Sequence, residues 1–566
     1  MKKQTFAINL LRSFAAREVF VVLRKDGSGC VWYPMRWTGT DKGEDEYSVE
    51  IEITTVGLYF YRFFARGLSD SDIGASWGDF VYLLPENTHH PKGWGGGVAY
   101  QIFCDRFNIG ESGAIRSKPD CVYRDDWGGE PHSAPGKNGE ILNNDFFGGN
   151  IQGIAEKLDY LKGLDVTAIY LNPIFEAASN HKYDTGNYFA IDPLFGEPED
   201  FRTLCETARG KGIKIILDGV FNHTGSDSRY FNKYGRYDTV GAYQSPDSPY
   251  YPWYSFNKYP DEYDCWWGFK TLPAVNKQSP SFREFICGES GVIAHWLRQG
   301  AGGWRLDVAD ELSDEFLEAL RTRVKSVNPD ALIAGEVWEN AAVKTAYGER
   351  RKYFLGKQLD SVMNYPFRAA IIEFVRDGNS AGLKNTINEI LNCYPAPVVA
   401  NLMNSLSTHD TPRALTVFSG DIARMKLAAV LQYTLPGFPC VFYGDEAGMT
   451  GGKDPSNRGC YPWRFENAEL VEFYRFLGKL RAENSVFDGG GFRLIFEGKG
   501  VFLFARSAKE QMTNDKGQMT NEVIIGLNVS DRSFAVETGR PLFDLYAGKT
   551  IDGEIAIPAK DFILFR

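Results

Sequence analysis

A chain of 566 residues is too long for one ordinary domain and long enough for a large core with accessory modules. Its 43% apolar content excludes a disordered polypeptide, and a net charge of −11, spread along the chain, argues against nucleic acid and membranes as partners. Nine scattered cysteines with neither a CxxC pair nor zinc-ligand spacing suit a reducing compartment.

The first stretch, "MKKQTFAINLLRSFAAREVF", carries two lysines, but Arg12 and Arg17 interrupt its apolar residues and no small-residue cleavage site follows. No apolar run anywhere approaches the roughly 18 residues that a membrane span needs. The expected location is therefore cytoplasmic. Within residues 1–90, "VFVVLRKDG", "YSVEIEI" and "GLYFYRFFA" are β-branched and aromatic runs separated by turn residues, which predicts an N-terminal β-sandwich. "PENTHHPKGWGGG" reads as the linker that follows it.

From residue 98 the texture changes. Eight short apolar runs, each ending in polar residues, follow one another: "VAYQIF", "VTAIYLNPIF", "KIILDGVFNH", "GWRLDVAD", "ALIAGEVW", "SVMNYPF", "LMNSLSTHD" and "CVFYGDEAG". Helical patterns such as "EDFRTLCETARGKG" and "DEFLEALRTRVKSV" lie between most of them. This alternation predicts an α/β fold, a (β/α)8 TIM barrel spanning 98–475. After "DGVFNH" about 55 residues rich in Tyr and Trp precede the next helix, too many for a plain loop. They predict an inserted subdomain after strand 3, over 224–279. From 480 to 566 strand patterns return, predicting a C-terminal all-β domain. Inside it "QMTND" and "QMTNE" form a small near-repeat, read as a solvated hairpin loop.

Catalytic groups of such barrels sit at the C-terminal ends of strands. There this chain carries Asp218, Asn222, His223, Arg305, Asp307, Glu336, His409 and Asp410. Arg305 and Asp307 are two residues apart and share one strand face. A salt bridge alone would explain that pair, but not the carboxylates of Glu336 and Asp410 at two further strand ends. Two carboxylates flanking an acetal carbon are what glycoside hydrolysis requires. One attacks, the other protonates the leaving oxygen and then deprotonates water, and they stand about 5–5.5 Å apart when configuration is retained. A nucleophile that must stay ionised needs a fixed cation, which an arginine supplies without titrating. The 12 Trp and 29 Tyr fit a large aromatic core and also stacking on sugar rings.

Four motifs then fall in order: "DGVFNH" (218–223), "GWRLDVADE" (303–311), "GEVW" (335–338) and "STHDTPR" (407–413). With them the chain resembles the α-amylase superfamily of retaining glycoside hydrolases, and within it the neopullulanase and cyclomaltodextrinase branch. The resemblance implies Asp307 as nucleophile, Glu336 as acid/base and Asp410 as transition-state stabiliser, with Arg305 orienting Asp307. It implies that His223 and His409 hydrogen-bond the sugar on the non-reducing side of the cleaved bond. "NHKYDTGNY" is similar to the family stretch in which His181 and Tyr183 line that subsite, Tyr183 stacking on the ring, and Asp218 supports this set. A lone histidine is more often a satisfied core residue, but three of the seven here fall inside the motifs.

Finer marks carry the branch. "LPAVN" (272–276) resembles its additional motif, and "DVADE" resembles another, with Asp310 in place of an asparagine and Glu311 matching. Trp338 stands where the branch has an aromatic beside the leaving-group sugar. Asp454 and Arg458 stand where a family loop holds the next sugar outward. Trp266 or Trp267 is expected to stack on sugar beyond the cleavage point. The N-terminal module, carbohydrate-binding-like, is shorter than the one with which many branch members dimerise, so monomer and homodimer both stand. The chemistry implied needs no cofactor. A structural calcium is possible, although "NIGESGAIRSK" keeps fewer oxygen ligands than the six to eight calcium takes, and "NNDFFGGN" adds some. The implied function is hydrolysis, with retention, of α-1,4 bonds in maltooligosaccharides, cyclodextrins, pullulan or starch. A glucan transglycosylase would use the same acids, and a non-catalytic sugar-binding protein would lack one of them.

Overall fold

The computed structural model describes residues 2–67, 75–86, 90–111, 118–136, 141–508, 522–537 and 541–566. At its centre are eight parallel strands: β1 (Ala99–Ile102), β2 (Ala168–Leu171), β3 (Lys214–Gly219), β4 (Gly303–Leu306), β5 (Leu332–Gly335), β6 (Ser361–Val362), β7 (Met403–Ser405) and β8 (Phe438–Phe442). They are hydrogen-bonded in the order β6-β5-β4-β3-β2-β1-β8-β7, and a parallel bridge of Met363 with Met403 joins the two ends of that row. The result is the predicted (β/α)8 barrel.

The strands read as unbroken apolar runs because helices cover one face and the barrel interior the other. Ala99, Ala168, Ile216, Leu332, Met403 and Cys440 pack together as one inner layer. Side chains alternate along a strand, so residues two positions further on look into the same interior, nearer the C-terminal mouth. That parity brings Gln101, Tyr170, Asp218 and, by the same count, Arg305 to the mouth, with Asp307 and Glu336 following on β4 and β5. The register agrees, since Asp218 stands beside Arg305 and Arg305 beside Ala334.

One element is shorter than its sequence pattern. "SVMNYPF" forms strand only over Ser361–Val362, and Tyr365 already opens the helix Tyr365–Asp377, with proline in its first turn. Proline is tolerated there, since the first helical N–H groups have no partner within the helix. Asn364 caps the helix, its side chain accepting from Phe367 N–H.

Before the barrel, a three-stranded sheet (Lys2–Leu11, Glu44–Ile53, Arg36–Asp41) and a four-stranded one (Cys30–Pro34, Glu18–Lys25, Gly57–Arg66, Ala75–Leu84) carry their own core of Phe6, Val21, Ile51 and Phe63 among others. The insert after β3 is held by aromatic packing. Phe231 meets Tyr254, Phe256 and Tyr263 at ring distances of 4.9, 5.9 and 4.7 Å. Its returning segment is tied to the residues just after β3 by an isolated antiparallel bridge between His223 and Ala274. The C-terminal part is a six-stranded sheet beside a two-stranded one. The "QMTND"/"QMTNE" near-repeat lies, except for Glu522, outside the described residues. Among the described residues no helix is long and apolar enough to cross a membrane.

Trp296, on the helix Val292–Arg298, stacks on Phe175 at 5.0 Å and meets Phe201 edge-on at 5.3 Å. Its Nε1–H donates to the Tyr188 carbonyl at 2.8 Å. Trp296→Ala is expected to cost about 3–5 kcal/mol, read from the midpoint of denaturant unfolding; an unchanged midpoint would remove this contact from the barrel core.

Candidate active site

Arg305 is fully buried. Its Nη1 donates to Asp218 Oδ1 and Oδ2 at 2.8 and 3.0 Å and to Asp307 Oδ1 at 3.0 Å. Its Nη2 forms an ion pair with Glu336 Oε2 at 2.8 Å. A planar guanidinium with fixed nitrogens thus sets Asp307 and Glu336 side by side. Glu336 is fixed further: Oε2 accepts from Val308 N–H at 2.8 Å and Oε1 from Trp338 Nε1–H at 3.0 Å. Val308, directly after Asp307, has φ 38 and ψ 57. A β-branched residue in the left-handed region is strained, and here the strain aims an N–H at Glu336.

Asp218 is held from behind. Tyr170 and Tyr183 donate to its Oδ2 at 2.6 and 2.8 Å. With the Tyr183 proton spent on Asp218, the 2.5 Å contact between Tyr183 Oη and His409 Nε2 needs its proton from the imidazole. The other ring nitrogen agrees, since Gln101 Nε2–H donates to His409 Nδ1 at 2.9 Å. His409 is therefore the Nε2–H tautomer, and that nitrogen also lies 3.2 Å from Asp410 Oδ2. Burial, with Arg305 and Arg458 nearby, holds His409 well below its ordinary value and so neutral. His181 is pushed down to about 4 by burial; its Nδ1 accepts from Tyr183 N–H at 3.1 Å. Between them Lys182 takes φ 65, and its buried ammonium pairs with Asp192 at 2.7 Å. His223 is pushed down to about 3 by burial, and its ring stacks on Trp266 at 5.1 Å.

The family model described as the alpha amylase catalytic domain matches residues 101–470, which include every residue of this cluster. The chain belongs to the alpha-amylase family. It is 34% identical over 505 residues to a cyclomaltodextrinase of Thermoanaerobacter pseudethanolicus, covering 84% of this chain and 82% of that protein. It is 37% identical over 535 residues to an amylopullulanase of Thermoanaerobacterium saccharolyticum, covering 84% of this chain and 41% of the relative, so it spans about two fifths of that protein's length. Among solved structures it resembles the type III pullulan hydrolase from Thermococcus kodakarensis, with a TM-score of 0.73, 27% identity and coverage of 100% of this chain and 97% of that one. Similarity to cyclomaltodextrinases agrees with the branch read from the motifs.

The branch residues surround the alpha-amylase-family cluster on two sides. On one, Arg458 Nε–H donates to the His409 carbonyl at 3.0 Å, and Nη2 lies 3.7 Å from Asp410 Oδ1 and 3.5 Å from Asp454 Oδ2. Arg458 is buried while the Asp454 side chain is half exposed, so the pair sits at the edge of the cleft. On the other, Trp338 is 47% exposed and stacks on Tyr365 at 3.9 Å, while Glu311 accepts from Tyr347 Oη–H. Asp310, the departure from the branch pattern, pairs with Lys344 at 3.0 Å and accepts from Tyr353 Oη–H at 2.5 Å. Trp267 is 76% exposed and stacks on Trp266 at 5.0 Å. His223, Trp266 and Trp267 form a stair leading out to solvent. Gln101, Tyr170, Asn172 and Tyr365 join this machinery without having been singled out in the sequence. Strand parity could have found the first two, since each lies two residues beyond an inward alanine.

Near the stretches that leave a structural calcium possible, several side-chain oxygens already have protein donors. Residues 112–117 of these stretches lie outside the described residues. In the described part, Asn150 Oδ1 accepts from Gly110 and Gly153 N–H, and Asp105 is bound by Arg106 at 2.6 Å and by Phe147 and Gly148 N–H. Asp145 accepts from Asn180 and from His132 N–H. These oxygens serve protein donors, whereas Asn143 Oδ1 and Asn180 Oδ1 are buried without one; among the described residues no group of three or more His, Cys, Asp or Glu side chains is placed to hold a metal.

Burial pushes the Asp307 carboxyl well above the usual carboxylate range; Arg305 pulls against this, while Glu336, Asp218 and Asp410 add to it. A carboxyl raised on folding contributes stability that is fully present below its unfolded value of about 3.9 and is lost as pH rises through the folded value. An asparagine suffers no such loss. Asp307→Asn is therefore expected to raise the melting temperature at pH 7 by roughly 2–4 °C, with the gain vanishing toward pH 3. Thermal melts across pH check this, and a variant less stable than the parent at pH 7 would contradict it.

Proposed function

We propose that this chain is a retaining α-glucan hydrolase that cleaves α-1,4 glucosidic bonds in maltooligosaccharides, cyclodextrins, pullulan or starch. One observation carries the reading: Arg305 spans Asp307 and Glu336 at the barrel mouth, with Asp410 beside His409. The names of the relatives, amylopullulanase and cyclomaltodextrinase, support the substrate class.

In this reading an Asp307 oxygen attacks the anomeric carbon as the glycosidic bond breaks, and Glu336 gives its proton to the departing oxygen. Water then gives a proton to Glu336 while its oxygen bonds to the anomeric carbon and Asp307 leaves. The neutral histidines 181 and 409 serve as hydrogen-bonding groups rather than cations. Asp410, with its side chain 32% exposed, is open to the hydroxyls of a distorted sugar. The exposed faces of Trp338 and Trp267 suit stacking on sugars outside the reacting one. We place the enzyme in the cytoplasm, a reading that all nine cysteines, present as free thiols, support.

Two inversions at one carbon restore its configuration, so the new reducing end is expected first as the α-anomer. NMR of an early digest reads this before mutarotation, and an initial β-anomer would falsify double displacement. Glu336→Gln is expected to lose about 10²–10⁴-fold on glucans yet to keep forming the covalent intermediate from a substrate with an acidic leaving group. Azide should then speed release, since a small anion needs no base. Equal losses on both substrates with no azide effect would remove Glu336 from this role.

A further inference from the structure

Lys277 follows "LPAVN" and lies between the ends of β3 and β4. Val275 N–H donates to the Asn222 carbonyl at 2.9 Å, and Ala274 bridges His223, so the segment is tied to the end of β3. The Lys277 ammonium is partly buried and donates to Asn222 Oδ1 at 2.8 Å. Among the described residues no carboxylate lies within ion-pair distance of it. An ammonium has three donors, and withdrawing it from water without further acceptors is costly. Glu311 is the carboxylate whose field reaches it, and Glu311 is itself held by Tyr347.

The strand order says which side of the cleaved bond this is. Asp454 and Arg458 follow β8, His181 and Tyr183 follow β2, and Asp410 follows β7. Glu311, Trp338 and Tyr347 follow β4 and β5, on the other side of Asp307, and Lys277, which follows β3, joins them through the field of Glu311. Glu336, which in the proposed reaction must touch the departing oxygen, belongs to this second group.

We propose that Lys277 is a specificity-determining residue on the leaving-group side, donating from Nζ to a hydroxyl of the sugar unit beyond the cleaved bond while Glu311 accepts from its neighbour. A vicinal diol offers both an acceptor for the ammonium and a donor for the carboxylate. The inference rests on the reading of the cleft as an α-glucan site. It also ties grip to pH. Burial brings Lys277 down to about 8, with Glu311 opposing. His223, which also faces it, stays neutral throughout because burial, and then Lys277, hold it near 3. Asn222 does not titrate. Above about pH 8 the ammonium loses its proton and with it the charged hydrogen bond.

The test compares a maltooligosaccharide with an aryl α-maltoside, whose leaving group has no hydroxyls, for the wild type, Lys277→Met and Lys277→Gln. The ratio of kcat/KM for the oligosaccharide to that for the aryl substrate is expected to fall about tenfold in Lys277→Met, the scale of one hydrogen bond to a charged group. The wild-type oligosaccharide profile should bend down near pH 8. That bend should be missing from the aryl profile and from Lys277→Gln. An unchanged ratio, with or without a lower melting temperature, would overturn the assignment and leave Lys277 structural. A wild type inert toward both substrates would instead overturn the α-glucan reading beneath it.

Discussion

A guanidinium buried in the mouth of an otherwise apolar barrel is costly, and the surroundings of Arg305 are arranged to answer that cost. Taking an isolated ion out of water is worth several kcal/mol even after relaxation. Asp218, Asp307 and Glu336 meet it, and Asp218 is in turn fixed by two tyrosines. Each member then depends on the others. Asp218 holds the guanidinium level, the guanidinium separates Asp307 from Glu336, and the Tyr183 hydroxyl that serves Asp218 also selects the tautomer of His409. A lysine could not substitute, because a point charge has no fork with which to fix the spacing of two carboxylates.

The arrangement carries stored unfavourable energy. Several carboxylates crowd one cation, and burial raises both Asp307 and Asp218 above the usual range. Val308 and Lys182 sit at positive φ beside the groups they aim. Such strain persists only where the surroundings over-determine it. Here those surroundings are the packed barrel layer below and the aromatic clusters around it.

Burial divides the cleft by task. Groups that must hold one geometry, Arg305, Asp218, His409 and Arg458, are buried and have several hydrogen bonds each. Groups suited to sugar units of varied number and linkage, Trp267 and Trp338, offer open faces at the rim. The insert after β3 and the loop after β5 carry these rims, so they can vary without disturbing the centre.

Much of this was legible in the chain. The repetition of apolar runs, each ending in polar residues, specified the barrel, because a strand buried on both faces has no other composition available. Parity along "GWRLDVAD" put Arg305 and Asp307 on one face, and the motifs brought in Glu336, Asp410 and the histidines. Other features were not local. The fate of Asp310 was decided by Lys344 and Tyr353 from another loop. Lys277 looked like any surface lysine, since nothing in "LPAVNKQS" tells that its amine is drawn from water against Asn222. Sequence determined which residues face inward, because that follows from backbone periodicity. Only the tertiary structure decided their partners, tautomers and charge balance, because those depend on through-space contacts between strands that the chain order keeps far apart.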